Sequence, residues 1–457
     1  MGSHKDIDKA VGNLMRWADR PEWADARARV FAAHIETTSR FLGIPEAEWL
    51  QELSALGYSG MVFGIAFEDF ASRDLEGGRN LIEDYLKRRG WHEGVFGRRY
   101  LQALRVSALS LYEVVAVTPG KHCDIRDLMR GGDPIRVYEN QGTRHLVRWD
   151  HLAARVLEVN GTLGFSGGML AFPADAAQVL LRVVSQTRQE VRRTLKRRKG
   201  PSSALPAEAL DAVLLKEACP AFTQTWVVHT WERLHAPLPT IVNRDGEAMV
   251  LTETRFPVDE AQREAAFARL DAAPQWEREP DGPFVWAWFP EEGEVQASSR
   301  DAARNLCGML EWKSKALLLV SNSRERAERG TQALSELLQG LVGTPLTTLR
   351  TPEQVMADAG DRRPEAASPL PALDPQVEAD LVRETLDRHY RQCLREPIPA
   401  LGGRTPRQCM RSQSGRLKIV AWLKDLENHE GRKAAQTGGI PYDFSWMWET
   451  LKVEDLR

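Results

Sequence analysis

Between residues 108 and 172 the chain changes its punctuation, and this limits its fold more than any other feature. Six short stretches, SLYEVVAV, HCDIRDL, DPIRVYE, RHLVRW, LAARVLEVNG and TLGFSGGMLAF, are β-branched or alternate in polarity. Pro119-Gly120, Gly131-Gly132-Asp133 and Asn160-Gly161 mark turns between them. Short runs with such turns predict an antiparallel meander, and the expectation is a small β-barrel over residues 106–172. The flanks read differently. Residues 5–105 carry apolar positions at three-four spacing and predict a helical domain, with Pro45 opening and Gly57 closing one helix and Gly90 closing another. Pro173 opens a long basic helix, 173–200, that stops at Gly200. Residues 207–355 predict an α+β domain with a turn at Asp245-Gly246. Its Trp286 and Trp288 share one strand face, so both are expected in the core. Residues 356–375, rich in Ala, Pro and charge, predict a linker, and 376–457 a helical C-terminal module. The class is α+β and multidomain, in keeping with about three domains for a chain of this length.

Composition excludes little. There are 61 basic and 64 acidic residues, so no overall charge demands a nucleic acid or a membrane. No apolar run nears the roughly 20 residues of a membrane span, and the polar start has no signal-peptide core. The five cysteines form no C-x-x-C pair, which points to a reducing cytoplasm and to neither a disulfide framework nor a zinc motif. No cofactor motif or metal-ligand spacing is present: there is no P-loop, no G-x-G-x-x-G after a strand and no H-E-x-x-H.

Several motifs call for a decision. Gly164-Phe165-Ser166-Gly167-Gly168 matches the G-x-S-x-G of serine hydrolases. That elbow needs a helix directly after the serine, and here an apolar stretch runs to Pro173. The expectation is a turn or bulge in which the glycines take positive φ, and no catalytic residue is assigned. Arg188, Arg192, Arg193, Lys196, Arg197, Arg198 and Lys199 are candidates for nucleic-acid contact; the alternative is cations complementing a helix C-terminus. Arg324, Arg326 and Arg329 open a helix that Asn322 or Ser323 caps. They are candidates for anion binding, against pairing with nearby acids. Carboxylate pairs such as Glu68-Asp69, Glu83-Asp84 and Asp425 with Glu427 carry no pattern that selects them for acid–base work. The tail YDFSWMWETL holds Tyr442, Phe444, Trp446 and Trp448, which either dock on the chain itself or anchor a partner.

The run Pro399-Ala400-Leu401-Gly402-Gly403-Arg404-Thr405-Pro406, followed by SGRLKIVAWL, resembles the toxin-binding domain of Xre/MbcA/ParS-type antitoxins. Gly402-Gly403 suits a tight turn there, and Thr405 suits an N-cap with Pro406 at the first helical position. The resemblance implies a protein partner, with Arg404 as a contact; the family's partner-contacting tail is not recognisable in GGIPYDFSWMWETLKVEDLR. A wider resemblance, carried by SLYEVVAVTPG, LVRWDHLAARVLEV, LLLVSNSRERAERG and HYRQCLREPIPALGGRTPRQ, is to uncharacterised bacterial proteins related to SEC-C-motif-containing proteins. The SEC-C cysteines are absent here, so zinc does not carry over.

Three functions follow as expectations. The first is a non-enzymatic interaction or regulatory protein, of a bacterial stress or defence system, that binds a protein partner through its C-terminal module. The second is a nucleic-acid binder using the barrel and the basic helix. The third is an enzyme whose site is assembled from dispersed residues.

Overall fold

In a computed structural model the described residues are 2–197, 207–237, 241–243, 245–280, 284–289, 306–350, 354 and 375–457. The chain divides into two compact units, Met1–Ala236 with Leu373–Arg457, and Pro237–Ala372.

The first unit begins with six helices: α1 (Gly2–Ala18), α2 (Pro21–Leu42), α3 (Glu46–Ala55), α4 (Ser59–Ser72), α5 (Leu81–Arg89) and α6 (Val95–Val106). Local chemistry sets their ends. Gly43 takes φ 68° to close α2, and Asn80 caps α5 by accepting from the Glu83 amide. Five strands follow: β1 (Ser110–Thr118), β2 (His122–Asp127), β3 (Ile135–Tyr138), β4 (His151–Val159) and β5 (Thr162–Phe172), ordered β3-β2-β1-β4-β5 with every pair antiparallel. At the β4–β5 turn Asn160 and Gly161 both have positive φ, as a two-residue hairpin turn requires.

The expected barrel does not form. The sheet curls, so that a Cβ at Gly164 in β5 would lie 3.8 Å from the Tyr138 carbonyl at the opposite edge. No ladder joins β3 to β5 among the described residues, and the sheet stays open. Of the six expected strands, RHLVRW is not one. The Asp150 carboxylate accepts from the Val147 amide and Trp149 takes φ 71°, which turns this segment across the sheet's end.

Three helices complete this half: α7 (Ala174–Arg197), α8 (Ala207–Glu217) and α9 (Cys219–Leu234). Trp49, Ile65, Leu180, Phe222 and Trp226 from the helices meet Leu111, Ala153 and Leu170 of the sheet in one core. The C-terminal segment, α12 (Pro375–Cys393), α13 (Pro406–Cys409), α14 (Gln413–Thr437) and α15 (Ser445–Thr450), builds its own core from Tyr390, Leu401, Ile419, Leu423, Phe444 and Trp448. Its loop forms as the residues predict. Gly402 and Gly403 both take positive φ, and Thr405 makes a capping box with Gln408, with Pro406 next in line.

The second unit is a six-stranded antiparallel sheet, ordered β11-β6-β10-β9-β8-β7, from β6 (Leu251–Pro257), β7 (Trp276–Arg278), β8 (Val285–Trp288), β9 (Gly308–Lys313), β10 (Ala316–Ser321) and β11 (Leu346–Arg350). Helices α10 (Arg263–Ala272) and α11 (Arg324–Leu337) contribute to its core. Trp286 and Trp288 are both buried there, the latter stacked on Trp276.

No described helix is long and apolar enough to cross a membrane.

Candidate functional site

A buried polar cluster of the first unit is built around two adjacent carboxylates on α4. Neighbours on a helix diverge by about 100°, so Glu68 and Asp69 serve different elements. Glu68 faces the sheet. Opposite Arg155 of β4, strand β5 bulges over residues 166–168, since Ala154 pairs with Met169 but Val156 with Phe165. The bulge turns Ser166 Oγ and the Gly168 amide onto Glu68, at 2.7 and 2.9 Å. Asp69 faces the helices. It accepts from Arg73 at 3.0 Å and lies 3.2 Å from His34 Nε2 of α2, whose Nδ1 is 2.7 Å from the Thr223 hydroxyl of α9.

Arg155 joins the halves. Its guanidinium is wholly buried, donates to the Ser107 carbonyl at 3.0 Å, and lies 3.6 Å from Glu68, 3.9 Å from Asp69 and 3.8 Å from the Cys219 sulfur. Burial pushes Glu68 above the usual carboxylate range, against the pull of Arg155, Ser166 and Gly168. For Asp69 the same burial is outweighed by the hydrogen bond from His34 and the charge of Arg73, and its carboxyl sits below that range.

Such a split resembles an acid–base pair. Every member but the half-buried Arg73 is buried, however, and the donors are directed at groups of the chain itself. His34, Asp69 and Cys219 also bring one ligand atom each within 4.8 Å of one another. Two guanidinium groups border that space, and burial pushes the Cys219 thiol up, so the charge around it opposes a cation. The cluster is suited to locking α2, α4, α9 and the sheet together.

A second polar cluster holds α14 against the sheet. The Glu427 carboxylate accepts from the Trp149 indole at 2.6 Å, the Trp448 indole at 2.8 Å and Arg457 at 2.8 Å. One turn earlier Lys424 donates to both oxygens of buried Glu113, at 2.9 and 2.8 Å, and lies over the Trp149 ring. Asn428 and Arg432 bond Asp150. Trp149, at the centre, is the residue with φ 71°. A bulky residue in that region stays only where its surroundings hold it, and here Glu427, Lys424 and Arg148 do so.

The residues singled out from sequence fare unequally. Ser166 sits in a strand bulge, and none of Gly164, Gly167 and Gly168 takes positive φ. Their smallness serves close approach: a Cβ on Gly168 would lie 3.1 Å from the Ile65 amide nitrogen of α4. In the basic helix, Arg188 is committed to the Met129 carbonyl and pairs with Asp211, while Arg193 is exposed. The side chains of Arg192, Lys196 and Arg197, and residues Arg198 and Lys199, lie outside the described residues, as do most of the linker 356–375 and Gly200.

The anion site is corrected for two of its three arginines. Arg326 is buried against Asp245 at 2.7 Å, and Arg329 pairs with Glu247 at 2.7 Å, because the turn at Asp245-Gly246 brings both acids to the helix that Ser323 caps. Arg324 lines a groove on the same helix. The aromatic tail docks on its own module. Phe444 and Trp448 are 1% exposed, which corrects their expected role as partner contacts, and Trp446 donates to Tyr442, which in turn bonds Asp387. Arg404 stays exposed in its turn.

His34, Arg155 and Thr223 escaped the sequence reading. Thr223 lies 189 residues from His34, and no local pattern joins them.

Residues 66–199 match a family of unknown function, DUF7986. The match takes in Glu68, Asp69, Arg73, Arg155 and Ser166, together with Glu113, Trp149 and Asp150 on the sheet side of the clamp, and leaves out His34, Cys219 and all of α14. No curated protein and no solved structure matches the chain.

Proposed function

We propose that this chain is a non-enzymatic interaction or regulatory protein that binds an acidic protein partner through the loop of its C-terminal module. One observation carries the reading. Residues 391–411 hold five arginines, Arg391, Arg395, Arg404, Arg407 and Arg411, all exposed, against one glutamate, Glu396. Arg391 lies in the last turn of α12, and the segment that follows and carries the others is stiffened by the Gly402-Gly403 turn and the Thr405 capping box, while α14 is clamped to the sheet. A charged loop on a rigid support is a common form of binding surface. The antitoxin-like sequence of the same loop agrees with a protein partner in a stress or defence system. The five free cysteines agree with a cytoplasmic setting.

The test is capture from host extract with the wild-type chain and with the double variant Arg404→Glu/Arg407→Glu, followed by reconstitution with the purified partner. The expected result is an acidic protein bound by the wild type and weakened at least about tenfold by the variant, which keeps its Tm. Capture that disappears on nuclease treatment reassigns the arginines to nucleic acid, and equal binding by both chains refutes the reading.

A further inference from the structure

Strand β11 is an unusual edge. All five of its residues are exposed, Leu346 at 69% and Leu349 at 40%, and it pairs with β6 alone among the described residues. The outer backbone groups of residues 346–349 pair with nothing among the described residues, which makes them a template for one more strand. Beside it runs a groove of about 430 Å³, bounded by Arg324, Glu328, Thr331 and Gln332 of α11 and by Thr347 and Leu349 of β11. The Thr331 hydroxyl on this wall is buried and has no hydrogen-bond partner among the described residues.

The geometry points to this groove as a docking site for an extended peptide that adds to β11 as an antiparallel strand and carries an acidic residue two positions before a basic one. The charge order follows from spacing. Arg324 and Glu328 are four residues apart on a helix, about 6 Å along its axis. Residues two apart on a strand share a face and are separated by about 6.8 Å. A peptide strand in the groove therefore places side chains j and j+2 against Arg324 and Glu328, where an acid and a base are complementary. Neither Arg324 nor Glu328 has an ion-pair partner among the described residues.

Direction is set by the sheet. Leu349 pairs with Thr252, whose hydroxyl bonds the carbonyls of Ser321 and Ser323, so the C-terminal end of β11 lies by the N-terminus of α11. An antiparallel peptide enters at that end and meets Arg324 first and Glu328 second. Main-chain pairing supplies the affinity and the two charges the selectivity, independently of the loop assigned above.

The experiment uses the full chain and two fluorescein-labelled heptapeptides, Ser-Val-Asp-Val-Lys-Val-Ser and the same peptide with Asp and Lys exchanged, read by fluorescence polarisation at low salt. The first is expected to bind about tenfold tighter than the second. The charge-swapped double variant Arg324→Glu/Glu328→Arg is expected to invert that preference, which misfolding does not imitate. Methylating alternate backbone nitrogens of the first peptide is expected to abolish binding. Equal binding of the two peptides, no binding of either, or a preference that ignores the charge swap overturns the proposal. A dimer that forms with rising concentration and excludes the peptide assigns the edge to a second copy, and overturns it too.

Discussion

Replacing Glu427 by alanine removes the centre of the clamp between α14 and the sheet. The loss can be worked from its partners. Two indole N–H groups, of Trp149 and Trp448, lose their acceptor, and both rings are nearly fully buried. A buried donor left unpaired costs about 1–3 kcal/mol, so the pair accounts for about 2–6 kcal/mol. Arg457 also loses its partner at 2.8 Å, but it keeps more contact with water and adds less. A docking free energy lowered by about 3–4 kcal/mol raises the undocked population about 100- to 1000-fold. Hydrogen exchange read by mass spectrometry over residues 413–437 reports that population directly, whereas fluorescence would average over 14 tryptophans. Glu427→Gln keeps an oxygen acceptor and is expected to show well under half the effect. If the alanine variant speeds exchange in α14 by less than tenfold, the carboxylate does not hold the module and the reasoning fails.

Gly168→Ala is expected to destabilise the first unit by about 1–3 kcal/mol in urea denaturation, because its Cβ would press on Glu68 and on the Ile65 amide at 3.0 and 3.1 Å; a neutral result would show that α4 can move away from β5. In the second unit, burial pulls Glu247 up, but hydrogen bonds from Ser323, Asn243 and Arg329 outweigh it and hold its carboxyl down to about 2. A carboxyl lowered in the folded state adds stability above its unfolded value near 4.5, and that stability is lost as pH falls from there to about 2. Thermal melts across that window are expected to show the loss in the wild type and a flatter profile in Glu247→Gln; identical slopes would sink the assignment.

What the sequence shows of this molecule is mostly local. Asn160-Gly161 makes its hairpin, and Thr405 makes its cap, because each needs only its neighbours. The barrel over 106–172 failed for a non-local reason: closure depends on whether β3 and β5 meet, and short alternating strands read the same in an open sheet as in a closed one. RHLVRW alternates like a strand, yet the Asp150 side chain captures its backbone and makes a turn of it. The Glu68-Asp69 pair was visible, but its meaning was not. That meaning comes from Arg155 and from His34 and Thr223, held there by three different elements.

The same non-locality decides how the C-terminal module can be tested. Lys424 and Glu113 are 311 residues apart in sequence and 2.8 Å apart in space, and Glu427 and Trp149 repeat the pattern across 278. Removing residues 376–457 would strip Glu113, Asp150 and the Trp149 indole of these partners and open the surface around Trp149, now 3% exposed, to water. Exposing apolar surface of that kind to water costs stability. A lost interaction after such a deletion would then report damage to the first unit as readily as loss of a binding surface. Arg404 and Arg407 stand on the exposed side of the module and pair with nothing in the sheet, so charge reversal there changes the surface and leaves the clamp whole. A partner that survives Glu427→Ala but not Arg404→Glu/Arg407→Glu contacts the loop itself. The opposite result would mean that the partner reads the docking of α14, and the clamp would then be the regulated element.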